Sequence, residues 1–157
     1  MTKLILASKS PRRLQLLNST NIIPDIVDPP NINESIKQKE KPKIYLKRIC
    51  LEKATNIQKR YENDIILAAD TIVSTKQKIF LKPKDEEDAK KTLKYLSGRN
   101  HSVITGVCVL FKDRKKVKII ETKIKFKKPH KKKTQMSLLK INYLFCKLSL
   151  GYAYLQC

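Results

Sequence analysis

At 157 residues the chain is long enough for one domain with a real core. A hydrophobic content of 41% excludes a disordered chain, and no apolar run reaches the length of a membrane span. Lysine and arginine number 35 against 14 acids, a net charge of +21 that ordinarily points to nucleic acid or an anionic surface. The lysines are spread along the chain and no zinc-finger, RNA-recognition or helix-turn-helix signature accompanies them. Nucleic acid is therefore discounted as a partner, in favour of a solvated basic surface that draws nucleotides in.

Leu4-Ile5-Leu6-Ala7 reads as a short apolar strand. Ser8-Lys9-Ser10-Pro11-Arg12-Arg13 follows as a polar turn into a helix over 10–18. Pro11 suits a first helical turn, and Ser10 before it is a natural N-cap. Arg12 and Arg13 at that helix start favour an anion such as phosphate, although a capped helix with two solvated arginines has the same local pattern. A strand is expected over Ile22–Val27, broken by Pro24, and a polar loop over Asn31–Pro42. The apolar positions of Lys43–Tyr61 fit a long amphipathic helix.

Residues 64–73 read as a buried strand interrupted by Asp70-Thr71. An acid inside such a run is expensive to bury unless it is paired or binds a metal; an exposed strand end or a bulge is the alternative. Lys76–Leu81 suggests a hairpin return, with Lys82 held extended by Pro83. Asp85–Leu96 is a helix whose opening acids complement its dipole. Val103–Lys112 and Lys116–Phe126 are expected to form two strands around a turn at Asp113-Arg114. Alternating strands and helices imply an α/β class.

Four cysteines, at positions 50, 108, 146 and 157, lack metal-ligand spacing. Cys50 and Cys108 are expected to pack as small hydrophobes. No signal-peptide pattern opens the chain, so a cytoplasmic location is the default expectation. After Glu121 there is no acid; a basic run at 127–133 precedes an apolar stretch from Leu138 to Cys157. This change of composition suggests a divergent, truncated or degenerate tail over 127–157, distinct from the body at 1–126.

Four segments in order carry a family resemblance: Leu6 to Arg13, Ala69 to Val73, Leu81-Lys82-Pro83, and Leu96 to Gly106. Together they resemble the Maf, or septum-formation, family of nucleoside triphosphate pyrophosphatases. The resemblance spans residues 1–126 and implies a mixed, twisted α/β sheet flanked by helices, with the two lobes and central cleft of Maf/ITPase-like proteins. It implies hydrolysis of a nucleoside triphosphate to monophosphate and pyrophosphate, with Mg²⁺ or Mn²⁺ as cofactor. It also hints at a homodimer and at a link to cell-division arrest.

Carried over residue by residue, the resemblance makes Asp70 the base that activates water and, with Glu34, a metal ligand. Ser8, Arg12, Arg13, Lys53, Thr71 and Lys82 become substrate-binding residues, Lys53 through the matching segment Glu52-Lys53-Ala54. Arginine at position 12 and threonine at position 71 match the dTTP/UTP-type subfamily. In the tail only Gln156 echoes the family's third specificity position, and the Asp-Lys of that region is missing. The alternative implied by that departure is a catalytically weak family member that only binds nucleotides.

Overall fold

β1 (Leu4–Ala7) is the apolar strand around which the N-terminal part is organised: it pairs in parallel with β2 (Ile26–Val27) on one side and β3 (Ile65–Ser74) on the other. The chain, a computed structural model, is described over residues 1–76, 78–83 and 85–125. The expected tail from 127, with Gln156, Cys146 and Cys157, lies outside these residues. Element order is β1, α1 (Pro11–Ser19), β2, α2 (Pro42–Gln58), β3, β4 (Ile79–Phe80), α3 (Glu86–Leu96), β5 (Asn100–Phe111) and β6 (Arg114–Lys125). The sheet runs β2-β1-β3-β5-β6, with β4 antiparallel to the end of β3. This is the α/β class expected from the alternation of elements, with the mixed sheet and helices that the resemblance implied.

Several boundaries differ from expectation, each for a local reason. The strand expected at Ile22–Val27 shrinks to two residues. Asn21, at φ 59°, ends α1 in the left-handed conformation, and its N–H bonds to Asn18 O. The Ile22 N–H returns to Leu17 O at 2.9 Å, completing a Schellman closure. Pro24 then removes a donor, so pairing starts only after the Asp25 carboxylate has received the Leu4 N–H at 2.7 Å. α2 stops at Gln58 rather than Tyr61 because Arg60 and Tyr61 donate three residues back, tightening the last turn. The β5–β6 turn falls at Lys112-Asp113, one residue early, with Lys112 at φ 50°. Ser10 occupies the N-cap of α1 but its side chain caps nothing; the Arg13 N–H takes the Ser10 backbone oxygen at 3.1 Å instead. Asp85 does cap α3, accepting from the Asp88 N–H at 2.8 Å.

The described chain divides into two compact units. The first comprises Met1–Thr71 and Thr105–Ile120. Its core joins β1 (Ile5, Ala7), β3 (Ile66, Ala68) and β5 (Cys108, Leu110) to Cys50, Ala54 and Ile57 of α2. The second takes Ile72–Ile104 and the chain from Glu121. Its own cluster is Val73, Phe80, Leu96, Val103 and Ile124, with Tyr95 packed against Phe80 at a 5.2 Å ring separation.

Gly106 marks the tightest packing in the first unit. A Cβ there would stand 2.9 Å from Cys50 Sγ and 3.1 Å from Ile119 Cδ1, so α2 approaches β5 only because the position has no side chain. Gly106→Ala should therefore lower stability by about 1–3 kcal/mol in denaturant unfolding, the usual cost of overpacking. Adding Cys50→Ala should return part of that loss; full additivity of the two changes would contradict the contact.

Candidate active site

Asp70 lies in the middle of β3 and not at an exposed strand end. Its side chain is 15% exposed, and each of its oxygens meets a cation. Oδ1 accepts from Arg13 Nη2 at 3.2 Å, and Oδ2 lies 3.3 Å from Lys53 Nζ. Burial of the acid is thus compensated by pairing, one of the two solutions its sequence context allowed.

Three elements deliver these groups. α1 starts directly after β1, so its first turn lies beside β3, the parallel neighbour of β1. Arg13 in that turn also donates to Ser8 Oγ at 2.9 Å, and the same oxygen accepts the Ser10 N–H at 3.1 Å. Ser8 is buried, and its hydroxyl aims the guanidinium at Asp70. Arg12, the preceding residue of the turn, is half-buried. Neither the hydroxyl nor the carboxylate uses all five guanidinium donors, so Arg13 retains donors for a phosphate.

Lys53 comes from the fourth turn of α2 and is only 5% exposed. Its ammonium also meets Glu34 Oε1 at 3.1 Å, so it is held between two carboxylates. Glu34 belongs to the loop between β2 and α2, and half of its side chain is open to solvent. Tyr45, fully buried on α2, donates its hydroxyl to the Glu34 backbone oxygen at 2.9 Å. Burial, with the charges of Asp70 and Glu34, pushes the Tyr45 hydroxyl above its ordinary pKa, so it stays a donor. Thr71, next to Asp70 on β3, shares a 3.0 Å hydrogen bond between hydroxyls with Thr105 of β5.

Ser8, Arg13, Glu34, Lys53 and Asp70 are therefore brought together, all within the first unit, with Thr71 adjacent on the strand. Lys82 belongs to the second unit, where it is exposed between β4 and α3. Tyr45 and Arg48 contribute to the arrangement without any motif to single them out, whereas Thr105 lies within the segment Leu96 to Gly106. The one sequence signal for Tyr45 and Arg48 is spacing: 45, 48, 52 and 53 recur at helical intervals on α2.

Among the described residues no three His, Cys, Asp or Glu side chains gather into a cation cage. Two carboxylates nevertheless converge, and hard oxygen donors suit Mg²⁺ or Mn²⁺, which take one or two carboxylates and complete their shell with water and substrate phosphate. Glu34 and Asp70 fit that requirement. Cys50 packs nearby as an inert core thiol, pushed up to about 12 by burial and by the charge of Asp70. Burial raises Cys108 in the same direction, so both behave as the small hydrophobes expected.

A family model described as Maf-like protein matches residues 3–142. The chain belongs to the Maf-like family. Among Maf-like relatives, the dTTP/UTP pyrophosphatase of Caulobacter vibrioides is 44% identical over 126 residues, covering 80% of this chain and 65% of that protein. The dTTP/UTP pyrophosphatase of Thermosipho africanus is 45% identical over 125 residues, covering 80% and 63%. That of Pyrococcus furiosus is 46% identical over 132 residues, covering 81% and 66%. The chain thus spans just under two thirds of the length of the curated Maf-like relatives it matches. No helix among the described residues is long and apolar enough to cross a membrane.

Behind the Glu34 loop, Glu40 forms a two-point fork with Arg48, at 2.7 Å to each oxygen. That bond holds the Glu40 carboxyl down at about 2, below its ordinary 4.5. A carboxylate with a lowered folded-state pKa adds stability that is present above its unfolded value and lost as pH falls toward the folded one. The stability advantage of the parent chain over Glu40→Gln should hold steady above pH 4.5 and shrink between about 4.5 and 2. Urea midpoints measured across that range would show it, and an advantage unchanged down to pH 2 would contradict the fork.

Proposed function

We propose that this chain hydrolyses pyrimidine nucleoside triphosphates of the dTTP/UTP type between the α and β phosphates, giving the monophosphate and pyrophosphate. The observation that carries this reading is the convergence of Arg13 and Lys53 on one partly buried Asp70, with Glu34 held on the same lysine. The name of the relatives at 44–46% identity, dTTP/UTP pyrophosphatase, supports the same reaction.

In this reading Arg12 and Arg13, at the start of α1, take phosphate oxygens; a planar guanidinium binds two at once, and the helix N-terminus adds its dipole. Lys53 supplies a point charge from the opposite side of Asp70. Ser8 keeps Arg13 aimed. Lys82 is assigned to phosphate on its motif alone. Each Asp70 oxygen retains a lone pair beyond its cation partner, able to accept a proton from a water. Asp70 thereby acts as the general base, orienting the attacking water toward phosphorus. Mg²⁺ or Mn²⁺ held by Glu34 and Asp70 would neutralise phosphate charge and lower the pKa of bound water. Thr71, whose hydroxyl bonds that of Thr105, takes part with Arg12 in base selection in this reading. Nucleoside triphosphates are a cytoplasmic pool, and the reading places the protein there.

Pyrophosphate release from dTTP, UTP, CTP, GTP and 7-methyl-GTP, with Mg²⁺ or Mn²⁺, tests the proposal. Release should favour dTTP and UTP, and Asp70→Asn should lower kcat by about 10²–10⁴-fold, the usual contribution of a positioned base. A folded chain that releases no pyrophosphate from any of the five would overturn it.

A further inference from the structure

Glu34 is the one candidate ligand that no helix or strand carries: it sits in the loop leading to α2. Its position is set by a small polar network. The Asn33 side chain receives the Ser35 N–H at 2.9 Å, folding the loop on itself. Tyr45 donates to the Glu34 backbone oxygen and Arg48 Nη2 to the Ser35 backbone oxygen, both at 2.9 Å. Arg48 also grips Glu40 with two bonds of 2.7 Å, and Glu40 in turn receives the Lys37 N–H at 3.0 Å. Glu52, one turn further along α2, holds the third arm of the guanidinium at 3.3 Å. Arg48 lies over the Tyr45 ring, 5.4 Å from its centroid. The Glu40 side chain is 6% exposed and that of Arg48 16%. An exposed ion pair of this kind would be worth little, but a desolvated two-point fork has defined geometry.

We propose that Arg48 and Tyr45 are positioning residues: from one face of α2 they clamp the backbone of Glu34-Ser35 and so hold the Glu34 carboxylate opposite Lys53 and Asp70. Neither touches the reacting atoms. The clamp explains how a loop residue, open to solvent over half its side chain, can serve as a precise partner of a buried ammonium. Arg48 is suited to it because a single guanidinium reaches a backbone oxygen and two carboxylates at once, which a lysine cannot do. The functional consequence rests on the pyrophosphatase reading; the clamp itself does not.

Amide hydrogen exchange on the full chain without nucleotide reads the clamp directly. Arg48→Gln should speed exchange selectively over residues 33–40, Arg48→Lys should fail to restore protection, and Tyr45→Phe, which keeps the buried ring, should act in the same direction. In the pyrophosphate assay the divalent-ion concentration for half-maximal rate should rise about 10–100-fold, as is typical when support of a ligand is removed. The KM for dTTP at saturating metal should stay within about threefold of the parent value. Unchanged exchange over 33–40 in both Arg48→Gln and Tyr45→Phe would overturn the clamp. So would an unchanged metal midpoint in an active enzyme, or a full rescue by Arg48→Lys. If the parent chain releases no pyrophosphate, the activity reading fails by itself, and the exchange data still decide the clamp.

Discussion

A carboxylate in the middle of a sheet strand is the constraint around which the first unit is arranged. Asp70 could not remain in β3 as an isolated charge, since the effective penalty for burying an unpaired ion is several kcal/mol. It is tolerated because α1 and α2 each bring a cation to it, one per oxygen. This couples the packing of two helices to the chemistry of one side chain. The core that fixes α2 against β1, β3 and β5 is also what fixes Lys53 at 3.3 Å from Asp70. Packing and electrostatics are therefore not separable here, and Gly106 illustrates it: the absence of one methyl group lets α2 come close enough to place its lysine.

α2 performs two tasks with different faces. Leu46, Ile49, Cys50, Ala54 and Ile57 are buried in the apolar core. Tyr45, Arg48 and Glu52 form a polar edge, in reach of one another because residues three and four apart stack along a helix, and Lys53 reaches Glu34 and Asp70 from the same helix. Tyr45 bridges the two tasks, with a fully buried ring and a hydroxyl that reaches a loop carbonyl. The polar edge organises a loop that has almost no regular structure of its own, and it does so chiefly through backbone oxygens. Such contacts fix the backbone from which the Glu34 carboxylate extends to Lys53.

The charge of the chain acts at two ranges. The net +21 is dispersed, and at physiological ionic strength it raises the local concentration of anions without selecting among them. Selection is left to the few cations that are ordered. Arg13 and Lys53 are neutralised in part by Asp70 and Glu34, yet both keep hydrogen-bond donors beyond those bonds. On the proposed reading, a triphosphate arriving with a divalent ion would bring its own balance of charge to a cluster that holds both signs.

Much of this was legible without coordinates. The order of strands and helices, Asp70 within a strand, and the pairing or metal requirement that follows from it were all written in local patterns: alternation, helical periodicity and punctuation by proline. The errors were local too. The strand at Ile22–Val27 was shortened by a helix closure whose bonds a residue string does not display, and Ser10 lost its capping role to a backbone oxygen. What the sequence by itself determined was the set of elements, because dihedral preference and burial periodicity act over a few residues; the residue types at the site came from the resemblance carried by its four motif segments. Tertiary structure alone decided that Arg13 meets Asp70 across 57 residues, that Lys53 stands between two carboxylates, and that Tyr45 and Arg48 hold the Glu34 loop. The physical reason is that charge pairing and side-chain-to-backbone bonds depend on distance in space, and distance along the chain carries no record of them until the core has packed.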